Sequence, residues 1–329
     1  MKKHKICKIL LVILAIFLCV AFYELLGICV AYKKQPEVSN TTKKETKNGS
    51  WNECSENTER AVIIEKNPEA LLQRVRLIKN AKKEIILSTF AFQSDESGKL
   101  ILGALHDAAD RGVHIRLLVD GMESWIDMEG NPYFYGLSSH ENVEIKLYNK
   151  ANPLKPWKMM GRMHDKYLIA DGKRYILGGR NTYNYFLGDF PGHKNYDRDV
   201  LVVCDEPEKE NSVNQLLEYF ETIWDQEDSG YFHDNKKLAN RKSVKNAVLE
   251  LQNSYQKYFE ENKERICETD YTDETFETEK ITLVSNPIHT GSKEPVVWYQ
   301  LGELMKNAKN RVKIHTPYII CNDMMYNTW

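Results

Sequence analysis

No two of the seven cysteines form a CxxC pair, and none has zinc-ligand spacing: Cys7, Cys19 and Cys29 fall in the first thirty residues, and Cys54, Cys204, Cys267 and Cys321 are scattered. This excludes a thioredoxin-like redox motif and a structural zinc site and leaves buried thiols as the default, with a disulfide from Cys54 open if the chain faces an oxidising compartment. An excess of basic charge is also missing. With 45 Lys and Arg against 47 Asp and Glu the net charge is −2, which argues against a generally basic nucleic-acid surface. The 329 residues, 42% hydrophobic, are enough for about two domains with a real core.

Charge is nearly absent from one stretch. Ile9 to Tyr32 is an almost unbroken apolar run, about 36 Å as a helix and long enough to cross a hydrocarbon core of about 30 Å. Glu24 is its one ionised interruption, close enough to the end to reach the interface. A secretory signal peptide over Ile9 to Tyr23 is the competing reading; Cys29-Val30-Ala31 is the nearest thing to a cleavage site, and an uncleaved anchor is favoured. Lysines flank both ends (Lys2, Lys3, Lys5 and Lys8 before; Lys33, Lys34, Lys43, Lys44 and Lys47 after), so the basic residues leave the side of the membrane undetermined. Gln35 to about Asn57 is polar and reads as a flexible stalk.

What is present is an α/β rhythm. Glu84–Phe92, Val113–Asp120, Val143–Tyr148 and Asp199–Cys204 read as strands; Gly98–Asp110 and Ser212–Trp224 read as helices, with Arg111-Gly112 as a stop. The expected fold is a mixed sheet flanked by helices on both faces, preceded by one transmembrane helix. Asn235 to Cys267 is charged and helix-prone and reads as a connector.

The chemistry is concentrated in RMHDKYLIADGKRYILGGRN, where His164, Lys166, Asp171, Gly178, Gly179 and Asn181 spell HxKx4Dx6GGxN. Taken singly these are a packed histidine, a surface lysine and a turn. Together they suit phosphodiester chemistry: a neutral imidazole to attack phosphorus, an ammonium for the non-bridging oxygens, and glycines that let backbone and an amide approach the same anion. Lys166–Ala170 and Arg174–Leu177 read as a hairpin around Asp171-Gly172, which places His164 and Lys166, two residues apart, on one face. Asp171 at the turn is a candidate for orienting its neighbours. Lys150, Lys155, Lys158 and Arg162, interleaved with Trp157 and two methionines, read either as a solvated loop or as an approach for an anionic headgroup. His193 is the other histidine that could reach a substrate.

From about Arg60 to Gln226 the chain resembles the phospholipase D superfamily, and GRMHDKYLIADGKRYILGGRNTYNYF is similar to its cardiolipin synthase branch in particular. The resemblance implies a two-lobed enzyme with one motif per lobe, a phosphohistidine formed on one motif histidine, leaving-group protonation by the other, and no metal or organic cofactor. It makes His164 the nucleophile, Lys166 and Asn181 the phosphate clamp and Asp171 the orienting carboxylate, with Gly178 and Gly179 shaping the backbone beside the clamp. Phospholipid, phosphatidylglycerol first, is the implied substrate, at a cell membrane; a hydrolytic phospholipase D or nuclease, and an inactive truncated lobe lacking the second motif, are the alternatives, with nucleic acid disfavoured by the charge balance.

A second HxKx4D is missing. Asn80–Thr89 reappears in frame as Asn307–Thr316, 227 positions on, and Pro68–Ile78 and Pro295–Lys306 are matching proline-opened helices. Thr316-Pro317-Tyr318 resembles the opening of a second lobe, and a second motif would fall near position 391, beyond Trp329. The expected organisation is therefore an anchor (1–34), a stalk (35–59), a first catalytic lobe (60–230), a charged helical connector (231–280) and the start of a truncated second lobe (281–329), whose missing motif could be supplied by a homodimer.

Overall fold

The computed structural model describes residues 2–33, 36–48, 59–204, 206, 211–233, 235–314, 316 and 326. They fall into two units, one of Met1–Glu53, Asn152–Gly161 and Leu283–Trp329, the other of Cys54–Ala151 and Arg162–Thr282.

The first unit contains helices α1 (Lys2–Ala31) and α2 (Asn40–Asn48). Over Lys5–Ala31, α1 is long and apolar enough to cross a membrane. Helix α2 occupies part of the stretch that composition reads as a stalk; 34–35 and 49–58 lie outside the described residues, as do Cys54, His315, Pro317, Tyr318 and Cys321.

The second unit runs β1 (Arg60–Ile64), α3 (Asn67–Asn80), β2 (Glu84–Thr89), α4 (Glu96–Asp110), β3 (His114–Asp120), α5 (Glu123–Asp127), α6 (Pro132–Ser138) and β4 (Val143–Tyr148). It continues with β5 (Tyr167–Ala170), β6 (Arg174–Gly178), β7 (Asp199–Val203), α7 (Ser212–Trp224), β8 (Ser229–Tyr231), α8 (Lys242–Glu261), α9 (Lys263–Cys267) and β9 (Phe276–Glu277). The chain's last described helix, α10 (Val296–Lys306), belongs to the first unit.

Nine strands form one mixed sheet in the order β8-β4-β3-β2-β5-β6-β7-β1-β9. Strands β2, β3 and β4 are parallel, and the remaining pairs are antiparallel. Alternation along β3 explains the two layers. Ile115, Leu117 and Val119 join the main core with residues of α3, α4, α6 and α8. Arg116 faces the opposite side, its guanidinium 4.7 Å from the ring of Phe220 and 5.7 Å from that of Trp224 on α7. The sheet is thus covered on both faces.

Local signals act as the sequence suggests. Asp95 caps α4 by accepting from the Gly98 N–H (3.0 Å), and Gly112 takes the left-handed φ of +88° that ends it. Asp171 and Gly172, at φ +54° and +63°, with Lys173 N donating to Ala170 O (3.1 Å), form the type I′ turn that joins β5 to β6. Helix α8 is no spacer between lobes. Its Val244, Ala247, Leu251, Tyr255 and Phe259 are buried, so it forms a layer of the lobe.

One expectation fails. The repeat predicts a strand after α10, but 311–314 carry no regular structure. Strand β2 is held by partners on both sides, and an extended segment without a partner has no ladder to stabilise it.

Candidate active site

The residues before β5 keep its line: Gly178 N donates to Lys166 O (3.1 Å), continuing the β5–β6 ladder beyond its formal end. Spaced by two, His164 and Lys166 emerge on the same side and meet at Phe90, just past the end of β2. The His164 ring lies 4.6 Å from the Phe90 ring, centroid to centroid, and the Lys166 Nζ lies 5.4 Å from the Phe90 centroid. Asn181 arrives at the neighbouring residue, its Oδ1 accepting from Ala91 N (3.2 Å). Three of the motif side chains therefore converge on Phe90-Ala91.

Asp165, between the two, faces the other way and accepts from the Tyr219 hydroxyl of α7 (2.8 Å). Burial and this carboxylate hold the Tyr219 hydroxyl well above the usual phenol range, so it stays a donor. The segment ahead of His164 is tied down by Asp120, a carboxylate with no exposed surface. It accepts from Met163 N (3.1 Å), from Met122 N (2.9 Å) and from the Arg162 guanidinium (3.0 Å). Burial raises the Asp120 pKa, while Arg162 and these N–H groups oppose the rise.

The glycines have a packing reason. A Cβ at Gly178 would run into the Asp199 carboxylate, and one at Gly179 into that of Asp197. Between Gly179 and Asn181, Arg180 is buried; it lies 3.2 Å from Asp199 and donates to Asn67 Oδ1, Ile64 O, Glu65 O and Asp197 O. The backbone that presents Asn181 is therefore rigidly posted.

The electrostatics separate the two reactive groups. Burial, with Lys166 adding to it, pushes the His164 imidazole down to about 4. Burial pushes the Lys166 ammonium down to about 8, against the upward pull of Asp165 and Asp197. Between those values the site holds a neutral imidazole beside a cation. His164 as a residue keeps part of its surface exposed although its imidazole is desolvated within the site, whereas Lys166 is only 6% exposed.

Asp171 stands apart. The length of β5, roughly 16 Å at the usual rise per residue, separates it from Lys166, so it does not orient the imidazole. Its carboxylate instead accepts from Lys82 N (2.9 Å), Lys83 N (2.7 Å) and Glu84 N (3.0 Å), pinning the α3–β2 turn to the hairpin. Asp171→Ala is expected to cost about 1–3 kcal/mol, read as a lowered denaturant midpoint. Asp171→Asn, which tolerates the left-handed backbone and keeps one acceptor, should recover most of it. The His193 ring lies 5.4 Å from that of Tyr185, tilted by 39°. Phe90, Asp120, Asp197 and Tyr219 are site residues that the motif does not flag; the linear trace of Asp120 is a carboxylate closing the strand-like stretch that ends in Leu117-Leu118-Val119. Among the described residues no group of three or more His, Cys, Asp or Glu side chains is arranged to hold a metal ion.

Residues 74–224 match the family described as cardiolipin synthase, PLD-like domain. This stretch is a phospholipase D-like domain. An uncharacterised protein of Helicobacter pylori (strain J99) is 30% identical over 212 residues, covering 60% of this chain and 39% of that one. Cardiolipin synthase C of Escherichia coli (strain K12) is 29% identical over 171 residues, 48% of this chain and 34% of that one. The phospholipase D-like chain thus spans about two fifths or less of the length of these curated relatives. The solved phosphatidylserine synthase of Haemophilus influenzae Rd KW20 aligns with a TM-score of 0.45 at 18% identity, over 67% of this chain and 48% of that one.

Proposed function

We propose that this chain supplies the nucleophilic half-site of a membrane-anchored phosphatidyltransferase of cardiolipin synthase type, acting on phosphatidylglycerol through a phosphohistidine. The observation that carries the reading is the pairing of a neutral, partly exposed His164 with the buried Lys166 cation across Phe90. An imidazole nitrogen of His164 attacks phosphorus, the bond to the glycerol oxygen breaks, and the departing alkoxide takes a proton. Lys166 and the Nδ2 donors of Asn181, whose Oδ1 is engaged by Ala91, bind the non-bridging oxygens. A glycerol hydroxyl of a second phosphatidylglycerol then attacks the phosphohistidine, forming cardiolipin and restoring the imidazole.

The acid cannot be the same imidazole, which lies on the attacking side of an in-line displacement. A second HxKx4D motif, from a second lobe or a second copy, is the partner this chemistry requires. Helix α10, ending just before Asn307 as α3 ends at Asn80, is the proposed counterpart of α3 in such a lobe.

The test is incubation of the full chain, alone and with a lobe carrying a second motif, with labelled phosphatidylglycerol and with DNA. Cardiolipin supports the proposal; phosphatidate would make water the acceptor, and cut DNA would overturn the lipid assignment. The pH dependence follows from the two shifted groups. Covalent capture at low substrate is expected to be flat from about pH 5 to 7, to fall as His164 gains a proton near 4, and to fall as Lys166 loses one near 8. An acid limb near 6.5, the value of an unburied imidazole, would count against the site as described.

A further inference from the structure

The stretch Asn152–Gly161, basic and aromatic, has no part in the phosphoryl chemistry. Within its own unit it lies along α1. Tyr23 Oη donates to Leu154 O (3.0 Å), and a Cβ at Gly27 would stand 2.5 Å from Pro156 Cγ, so only glycine admits this approach. The half-buried residues of this part of α1 are Ala21, Glu24, Gly27, Ile28 and Ala31, a single helical face. Glu24, the one carboxylate of the apolar run, is on that face, turned from the side left for lipid.

We infer that 152–161 is a lipid-docking segment that inserts Leu154, Trp157 and Met160 into the bilayer interface beside α1, with Lys155 against phospholipid phosphates. A hydrocarbon core takes about 20 residues of helix, so counting from Ile9 places Tyr23 and Gly27 in the last turns before the boundary. A segment packed there is held at interfacial depth. From it Leu154 (78% exposed), Trp157 (46%) and Met160 (58%) project, and Lys155 interleaves with them. An amphipathic indole, aliphatic side chains and a cation beside a span are what an anionic interface accepts. A second protein copy fits less well: three side chains offer roughly 300 Å², against about 800 Å² per partner in a stable interface. Gly161 precedes His164 by three residues, so the chain passes directly from a lipid-bound segment to the nucleophile.

The inference shares with the proposed function the reading of α1 as a membrane span, and it needs no turnover. The full chain, with Trp157 replaced by p-benzoylphenylalanine, is reconstituted in vesicles of phosphatidylcholine and phosphatidylglycerol and irradiated. Lipid adducts at 157 are expected well above those from the same probe at Leu249, an exposed residue of α8. Gly27→Leu, which blocks the approach of Pro156, should bring them down to that background. Adducts no more frequent than at 249, cross-links to protein alone, or a yield unchanged by Gly27→Leu would overturn the inference. Adducts without a phosphohistidine would sink the catalytic reading and leave this one standing; a phosphohistidine without adducts would do the reverse.

Discussion

His164→Ala is expected to abolish the covalent intermediate. Incubated with phosphatidylglycerol labelled in its phosphate and a lobe carrying a second motif, the unaltered chain should retain label that is released by acid and stable to alkali, as a phosphorus–nitrogen bond is, and the variant should retain none. Loss of the nucleophile removes the pathway itself rather than weakening a contact, so turnover in the presence of a second motif should fall by at least about 10³-fold. The unfolding midpoint should barely move, because His164 is an exposed residue whose ring meets that of Phe90 in a tilted contact. A variant that turns over normally would remove His164 from the mechanism, and one that misfolds would contradict the exposure of its side chain.

Lys166→Met is expected to separate stability from activity. The ammonium is nearly buried, and folding lowers its pKa from 10.5 to about 8. The sign is therefore that of a destabilising charge: between about 8 and 10.5 the unfolded chain binds the proton more tightly, and native stability should rise with pH across that window. Below it the charge costs on the order of 1–3 kcal/mol, which methionine of similar length avoids. The variant should be more stable at neutral pH, with the rise above pH 8 gone, while covalent capture drops by about 10²–10⁴-fold through loss of the phosphate cation. Denaturant midpoints at pH 7, 8.5 and 10 and single-turnover labelling give the two halves of the result. A variant less stable than its parent at pH 7 would mean that the hydrogen bond from Nζ to His164 O (2.6 Å) outweighs the desolvation.

Sequence reading reached the parts of this site that are local and missed those that are distant. The spacing of His164 and Lys166, and the Asp-Gly turn that fixes it, lie within ten residues, so a period of two and one turn rule suffice to put both side chains on a face. Asp171 belongs to the same motif, yet its partners at 82–84 are reached only by folding, and adjacency in the motif misleads about its place. Asp120 and Tyr219 are likewise brought in from 43 and 54 residues away, by Met163 and Asp165 respectively. Helix α8 was obscured by its charge. Val244, Ala247, Leu251, Tyr255 and Phe259 recur every three or four residues and make a continuous apolar stripe, but the surrounding Lys and Glu lower the average enough to suggest a solvated connector. The strand expected after α10 shows the converse, a correct local propensity with no sheet to join.

The tight turn at Asp171-Gly172 also limits which length changes the hairpin can tolerate. It fixes Ala170 opposite Arg174 and hence Tyr167 opposite Leu177. A slip of that pairing by one residue would send His164 and Lys166 to the α7 side of the sheet, exchanging them with Asp165. Length changes in this hairpin should therefore be tolerated only where the turn absorbs them and leaves the pairing of Tyr167 with Leu177 intact.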